Sequence, residues 1–162
     1  MRWWDIEPVM VLEHRLFPED AWSRGMYWSE LAEAFPGGSR HYVVAVDGGG
    51  APVGYAGLMA VGPDSDVQTI AVDSEHQGAG LGALLLAELV EESVRRGCAE
   101  LLLEVRVDNL RAQRLYERFG FEPVGIRRGY YQPANVDALV MRLDHLASDA
   151  SEASDLKDHH NG

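Results

Sequence analysis

The stretch Thr69-Ile70-Ala71-Val72-Asp73-Ser74-Glu75-His76-Gln77-Gly78-Ala79-Gly80-Leu81-Gly82 decides the fold. The apolar, partly β-branched residues at 69–72 predict a strand. The strand runs into a glycine-rich loop, and the apolar run from Gly80 onward predicts a helix. Glycines let a backbone approach a ligand closely, and a helix N-terminus presents unpaired N–H groups at the positive end of its dipole. Such a loop can hold a pyrophosphate. It is not a Walker loop, because no Lys-Ser/Thr follows the glycines, and it lacks the Gly-x-Gly-x-x-Gly spacing of a dinucleotide fingerprint. On these residues alone, a glycine-rich helix entry that binds nothing remains the alternative.

Upstream of the loop, residues 41–47 and 53–61 alternate like strands around Asp47-Gly48-Gly49-Gly50-Ala51-Pro52, a hairpin turn. With residues 67–72 they predict an antiparallel meander. Two helices come first. One is capped by Asp5, carries Pro8 in its first turn and ends at Pro18; the other covers about residues 23–35, before Pro36-Gly37-Gly38. Downstream, residues 80–96 form a long apolar helix stopped by Gly97. Residues 101–107 read as a buried strand. Asp108 or Asn109 caps a shorter helix ending at Gly120, and residues 121–126 and 138–143 are the last strands. The fold class is therefore α/β, with one mixed, mostly antiparallel sheet flanked by helices.

The 162 residues are 46% hydrophobic and 25% charged, the size and composition of one domain with a real core. No apolar run approaches ~18 residues, so no membrane span is expected, and Met1-Arg2-Trp3-Trp4-Asp5 does not read as a signal peptide. The single cysteine, Cys98, excludes a disulfide framework and fits a cytoplasmic protein. Net charge is −12. Residues 144–162 hold five acids and one lysine, a net −4, which leaves −8 for the rest. A body this acidic argues against direct nucleic-acid binding and suits a cationic acceptor. We expect the folded domain over residues 1–146 and an acidic, disordered tail over 147–162.

Gln77-x-x-Gly80-x-Gly82 after the Ile70-Ala71-Val72-Asp73 strand resembles the acetyl-coenzyme A loop of the GNAT N-acetyltransferases. Leu115-Tyr116-Glu117-Arg118-Phe119-Gly120-Phe121 resembles that superfamily's second hallmark, in the right order and separated by the 101–107 strand. Leu103-Glu104-Val105-Arg106, Asn109, Ile126-Arg127-Arg128-Gly129-Tyr130-Tyr131 and Asp137-Ala138-Leu139-Val140-Met141 resemble the ribosomal-protein alanine N-acetyltransferases, the RimI type. Phe17-Pro18 and Trp22-Ser23 match as well. The resemblance spans about residues 5–143 and implies the GNAT acyl-CoA N-acyltransferase fold. Two departures bear on the acceptor: the first strand is nearly absent, and residues 132–137 are shorter than usual.

The resemblance implies acetyl-CoA as acetyl donor and direct amine attack in a ternary complex. Ile70, Ala71 and Val72 would pair with the pantetheine arm. Gln77 belongs to the loop, and Gly78, Ala79, Gly80, Leu81, Gly82 and Ala83 would wrap the pyrophosphate. Asn109 would lie near the thiol end, Glu104 would be the general base and Tyr116 the general acid. The implied acceptor is a protein N-terminal peptide, the N-terminal alanine of small-subunit ribosomal protein eighteen. Alternatives are acetylation of a small amine or a lysine side chain, and a coenzyme A-binding module without turnover. A monomer is expected.

The chemistry fits these residue types. An α-ammonium has a pKa near 7.7–8.0, so a carboxylate must take its proton before nitrogen attacks. Glu104 interrupts an apolar run, where partial desolvation favours a proton-accepting carboxylate; the structural alternative is a salt bridge, for instance to Arg106. Tyr116 can protonate a leaving thiolate or be a core aromatic. A backbone N–H from residues 70–72 is the expected oxyanion donor. Trp22, Tyr130 and Tyr131 are candidate acceptor contacts, the tyrosines in the connection between the last two strands. Cys98 reads as a small buried hydrophobe. The histidines show no metal spacing, so no metal is assigned.

Overall fold

A computed structural model describes residues 1–145, so the expected tail over 147–162 lies outside them. A 3-10 turn (Trp3–Asp5) leads into α1 (Ile6–Leu16) and α2 (Arg24–Ala32). The meander is β1 (Arg40–Val46), β2 (Pro52–Val61) and β3 (Asp64–Val72). There follow α3 (Leu81–Arg95), β4 (Glu100–Arg106), α4 (Leu110–Arg118), β5 (Glu122–Tyr131) and β6 (Val136–Asp144). The sheet order is β1-β2-β3-β4-β6-β5, and every neighbouring pair is antiparallel except β3 and β4.

Period-two alternation sorts the sheet's two faces. Leu101, Leu103 and Val105 of β4 point into the main core with Leu85, Leu86 and Leu89 of α3 and Tyr116 and Phe121. A second core on the other face packs Ile6, Val9 and Leu12 of α1 and Tyr27 of α2 against Tyr55 and Ala71. Glu13 is buried there, accepting hydrogen bonds from the hydroxyls of Tyr27 (2.7 Å) and Tyr55. The protein thus places a carboxylate in this core and satisfies it with phenols.

Three local expectations change. Asp5 stands at the N-cap position of α1 but its side chain makes no capping hydrogen bond there; it closes the preceding 3-10 turn instead, its carboxylate accepting from the Arg2 backbone N–H at 2.6 Å. Asn109, rather than Asp108, caps α4, accepting from the Ala112 N–H at 3.2 Å. Most importantly, β5 does not stop near residue 126. It runs on to Tyr131, so Arg127, Arg128, Tyr130 and Tyr131 belong to a strand, with an irregular register between Arg127 and Tyr131. Among the described residues, no helix is long and apolar enough to cross a membrane.

Candidate active site

β3 and β4 are paired only from Asp64↔Glu100 to Asp66↔Leu102. Beyond that point β4 follows β6 while β3 stays with β2, so the two strands splay. Residues 67–72 therefore keep a backbone edge without a strand partner on the β4 side. A cleft of about 790 Å³ opens in the splay. Ile70, Ala71 and Val72 form its β3 wall, and Asn109, Ala112, Leu115, Tyr116 and Phe119 form the opposite wall. Leu16 and Phe17, at the end of α1, close a third side.

Gln77, Gly78, Gly80, Gly82 and Ala83 line the end of this cleft. Gly78 and Gly80 adopt φ of +88° and +81°, a left-handed backbone that other residues take only with strain. Gly80 is the N-cap of α3 and offers no capping side chain, so the first-turn N–H groups of α3 have no side-chain cap. Gln77 braces the loop: its Nε2 donates to the Val72 carbonyl (3.3 Å), and its Oε1 accepts from Arg111 (3.1 Å). These are the features an anion-binding helix entry needs. Leu81 does not line the cleft; its side chain packs into the main core. Ala79 is exposed in the loop and is also absent from the lining.

Tyr116 is 6% exposed, tilted against Phe121 with ring centroids 6.0 Å apart, and lines the inner cleft. Burial pushes its phenol up to about 12, so it is protonated at neutral pH. Glu104 projects from the opposite face of β4, by strand alternation. Its carboxylate pairs at 3.0 Å with Arg127 of β5, which reaches across the intervening β6. Arg106 is not its partner; that guanidinium is held by both carboxylate oxygens of Asp108, at 3.0 and 3.1 Å.

The extension of β5 builds a wall beside Glu104. Tyr130 and Tyr131 pack edge to face at 5.1 Å, with Arg127 over the Tyr130 ring at 5.4 Å and Arg106 over the Tyr131 ring at 5.5 Å. The Tyr130 phenol is pushed up by its hydrogen bond to Glu104 and then by burial. Tyr131 is pushed up mainly by burial and also by Tyr130, Glu104 and Tyr116. Asp66, at the point where the strands part, is pushed up by desolvation first and then by Glu104, Asp64 and Glu100.

Trp22 is not brought to the cleft. It packs on the second core, tilted against Tyr27 at 5.3 Å. Cys98 is buried near the carbonyls of Gly62 and Asp64. The fold also gathers His41, Glu88 and Glu92, with ligand atoms within 4.8 Å, a group invisible as sequence spacing because β1 and α3 supply it. Glu92 already serves Arg95 (3.1 Å) and Arg96 (2.9 Å), which makes the group an ion-pair cluster. Leu16, Phe17 and Arg111 were missed as cleft residues. The first two sit at a helix end far along the chain, and Arg111 carried no motif signal.

The chain matches the acetyltransferase (GNAT) family over residues 6–121. It is 41% identical over 145 residues to the N-alpha-acetyltransferase RimI of Mycobacterium tuberculosis, covering 86% of this chain and 87% of that protein. It is 37% identical over 141 residues to a putative ribosomal protein bS18-alanine N-acetyltransferase of Bacillus subtilis, covering 87% of this chain and 90% of that protein. The crystal structure of the ribosomal-protein-S18-alanine N-acetyltransferase of Escherichia coli superposes with a TM-score of 0.77 at 32% identity, covering 89% of this chain and 90% of that one.

Proposed function

The chain belongs to the acetyltransferase (GNAT) family and is an enzyme of that class, and from that premise we propose that it transfers acetyl from acetyl-CoA to the α-amine of a protein N-terminus. The acceptor assigned is the N-terminal alanine of a ribosomal protein, the acceptor in the names of relatives at 37% and 38% identity. We take it to act as a cytoplasmic monomer.

One observation carries the reading. A single cleft runs from an uncapped, glycine-lined helix entry to a buried, protonated tyrosine; Glu104 is not among its lining residues and stands on the other face of β4. The residues fit a pantetheine pyrophosphate thioester. The first-turn N–H groups of α3 would hold the pyrophosphate, the free edge of residues 70–72 would pair with the pantetheine amides, and Asn109 would lie near the thiol end. Acetyl-CoA supplies a thioester carbonyl that accepts the amine nitrogen as the carbon–sulfur bond breaks.

The chain's own groups move the protons. Glu104 takes one from the acceptor ammonium, directly or through one water, which frees the nitrogen lone pair. Tyr116 gives its phenolic proton to the departing thiolate, and the second proton that the nitrogen sheds as the amide forms returns to the phenolate, directly or through water, while Glu104 releases its proton to solvent. An N–H of residues 70–72 stabilises the charge that develops on the carbonyl oxygen. Tyr130 and Tyr131 flank the acceptor's first residues. Arg127 must leave Glu104 before an ammonium can take its place.

Mass spectrometry of a peptide panel tests this. The panel holds a ribosomal-protein N-terminal peptide, the same peptide with its α-amine blocked and a lysine added, and a polyamine. Acetylation of the free α-amine alone is expected. Acetylation of the lysine peptide or the polyamine alone assigns a different acceptor to the same fold.

A further inference from the structure

Of the 13 arginines, nine lie in ion pairs with carboxylates: residues 15, 24, 40, 95, 96, 106, 127, 128 and 142. In a chain of net charge −12 this is the expected fate of a guanidinium. Among the described residues, four have no carboxylate partner. Arg2 is one; the other three are Arg111, Arg114 and Arg118, all exposed on α4. Their spacing of three and four residues sets them along one helix face, where like charges repel one another. Arg111 and Arg118 also line the cleft, whereas Arg114 lines only the shallow depression outside it.

The acids that match this face follow later in the sequence. Residues 147–162 hold Asp149, Glu152, Asp155 and Asp158, one acid at every third position, against a single base, Lys157. Three residues of chain span at most roughly 11 Å, so successive carboxylates stay within the reach of neighbouring arginine side chains. The segment lies past residue 121, where the family match ends. The chain also leaves the described structure at the right place. Gly120, two residues beyond Arg118, abuts β6: a Cβ on it would stand 3.3 Å from Leu143 Cδ1. His145, two residues after Leu143, is held on the same face of the sheet, its backbone N–H donating to the Ala99 carbonyl (3.0 Å) and its Nε2 lying 2.9 Å from the hydroxyl of Ser93 on α3. Asp149 follows four residues later, a reach of roughly 13 Å, while the nine residues of α4 are only about 13 Å long.

We propose that the acidic segment 147–162 docks on the Arg111-Arg114-Arg118 face of α4, beside the mouth of the cleft. Charge complementarity selects this occupant, and the tether raises its local concentration into the millimolar range, so weak, exposed ion pairs suffice to seat it. Seated there, its carboxylates oppose the entry of any polyanion into the cleft. Under the acetyl-CoA reading above, on which this consequence rests, the segment is an electrostatic gate: its docking and cofactor entry disfavour each other. The docking itself does not depend on that reading.

Two-dimensional amide NMR of the full chain at low salt tests the docking. The wild-type protein is compared with a variant combining Asp149→Asn, Glu152→Gln, Asp155→Asn and Asp158→Asn. Shifts confined to the amides of α4 and of the segment are expected, unchanged on dilution, and they should shrink when the comparison is repeated with Arg114→Gln in both chains. Absence of shifts in α4, or shifts that Arg114→Gln leaves untouched, overturns the docking. Shifts that fade on dilution assign the face to a second copy's segment and overturn the intramolecular contact. Calorimetry with coenzyme A tests the gate. The neutralised variant is expected to bind about threefold or more tightly at low salt, and the gain should vanish near ~1 M salt, where the Debye length is about 3 Å. Equal affinity at low salt overturns the gate. Failure of both chains to bind coenzyme A overturns the acetyl-CoA reading and the gate with it, while the spectra still decide the docking.

Discussion

Arg127 on β5 reaches across β6 to set its Nη1 3.0 Å from the carboxylate of Glu104 on β4, while its guanidinium lies over the ring of Tyr130. The carboxylate expected to receive a proton from a cationic acceptor already holds a cation of its own. Arg127 is 59% exposed at the side chain, so the pair is solvent-screened and exchangeable.

Removing that competitor should ease acceptor binding. Arg127→Gln is expected to lower the acceptor KM by up to about fivefold, the range supplied by an ion pair worth ~0.2–1 kcal/mol. Steady-state kinetics with an N-terminal peptide measure it. A raised KM would show that Arg127 binds the acceptor instead of competing with it.

The two candidate proton-transfer groups should be separable from cofactor binding. Glu104→Gln and Tyr116→Phe are each expected to lower kcat by about tenfold or more, because general acid–base groups contribute at least ~10²-fold in typical enzymes. Calorimetric affinity for coenzyme A should be retained in both. Unchanged turnover in both variants removes the proposed mechanism.

The tyrosines set the alkaline behaviour. Tyr116 is raised from 10.0 to about 12, so its proton is still in place where an ordinary phenol would be half lost. With saturating substrates, kcat should show no falling limb from Tyr116 at pH 10. Stability behaves differently. Tyr27, Tyr42 and Tyr55 are also raised, chiefly by burial. A group raised in the folded state gives its full stability below the unfolded value and loses it as pH climbs toward the folded one. The denaturation midpoint should therefore be flat with respect to these groups up to about pH 9.5 and fall above pH 10. Denaturant titrations across that range decide it.

Glu13 should matter to stability far more than its place on a helix suggests. Glu13→Ala leaves the hydroxyls of Tyr27 and Tyr55 without their buried acceptor, and the expected cost is about 3 kcal/mol or more. Glu13→Gln, which keeps an acceptor oxygen, should cost less. Chemical denaturation of the two variants measures the difference.

Much of the site was legible before any tertiary structure. The 69–82 stretch announces itself because a strand, positive-φ glycines and an uncapped apolar helix are local features, set by residues adjacent in the chain. The cap at Asn109 and the glycine stops at 97 and 120 are local in the same sense. Even the inward position of Tyr116 follows from the 3.6-residue period of α4, which buries Tyr116 on the face that carries Ala112 and Leu115.

What only the tertiary structure decided is partner choice across strands. Nothing in the chain order announces that β4 takes β6 as its neighbour and that β5 lies beyond. For that reason Glu104 is matched with Arg127, 23 residues away, rather than with the near Arg106. The same pairing with β6 carries β5 through Tyr131 where its composition suggested a connection. Trp22 was drawn into the second core by Tyr27, and Leu16 and Phe17 reached the cleft because α1 lies across β2. Whether three arginines on α4 stay unpaired is likewise a question of which carboxylates the fold brings near them. Backbone geometry is a property of a few consecutive residues, whereas the partner of a charge depends on which distant segments share a face, and that is settled only when the sheet has closed.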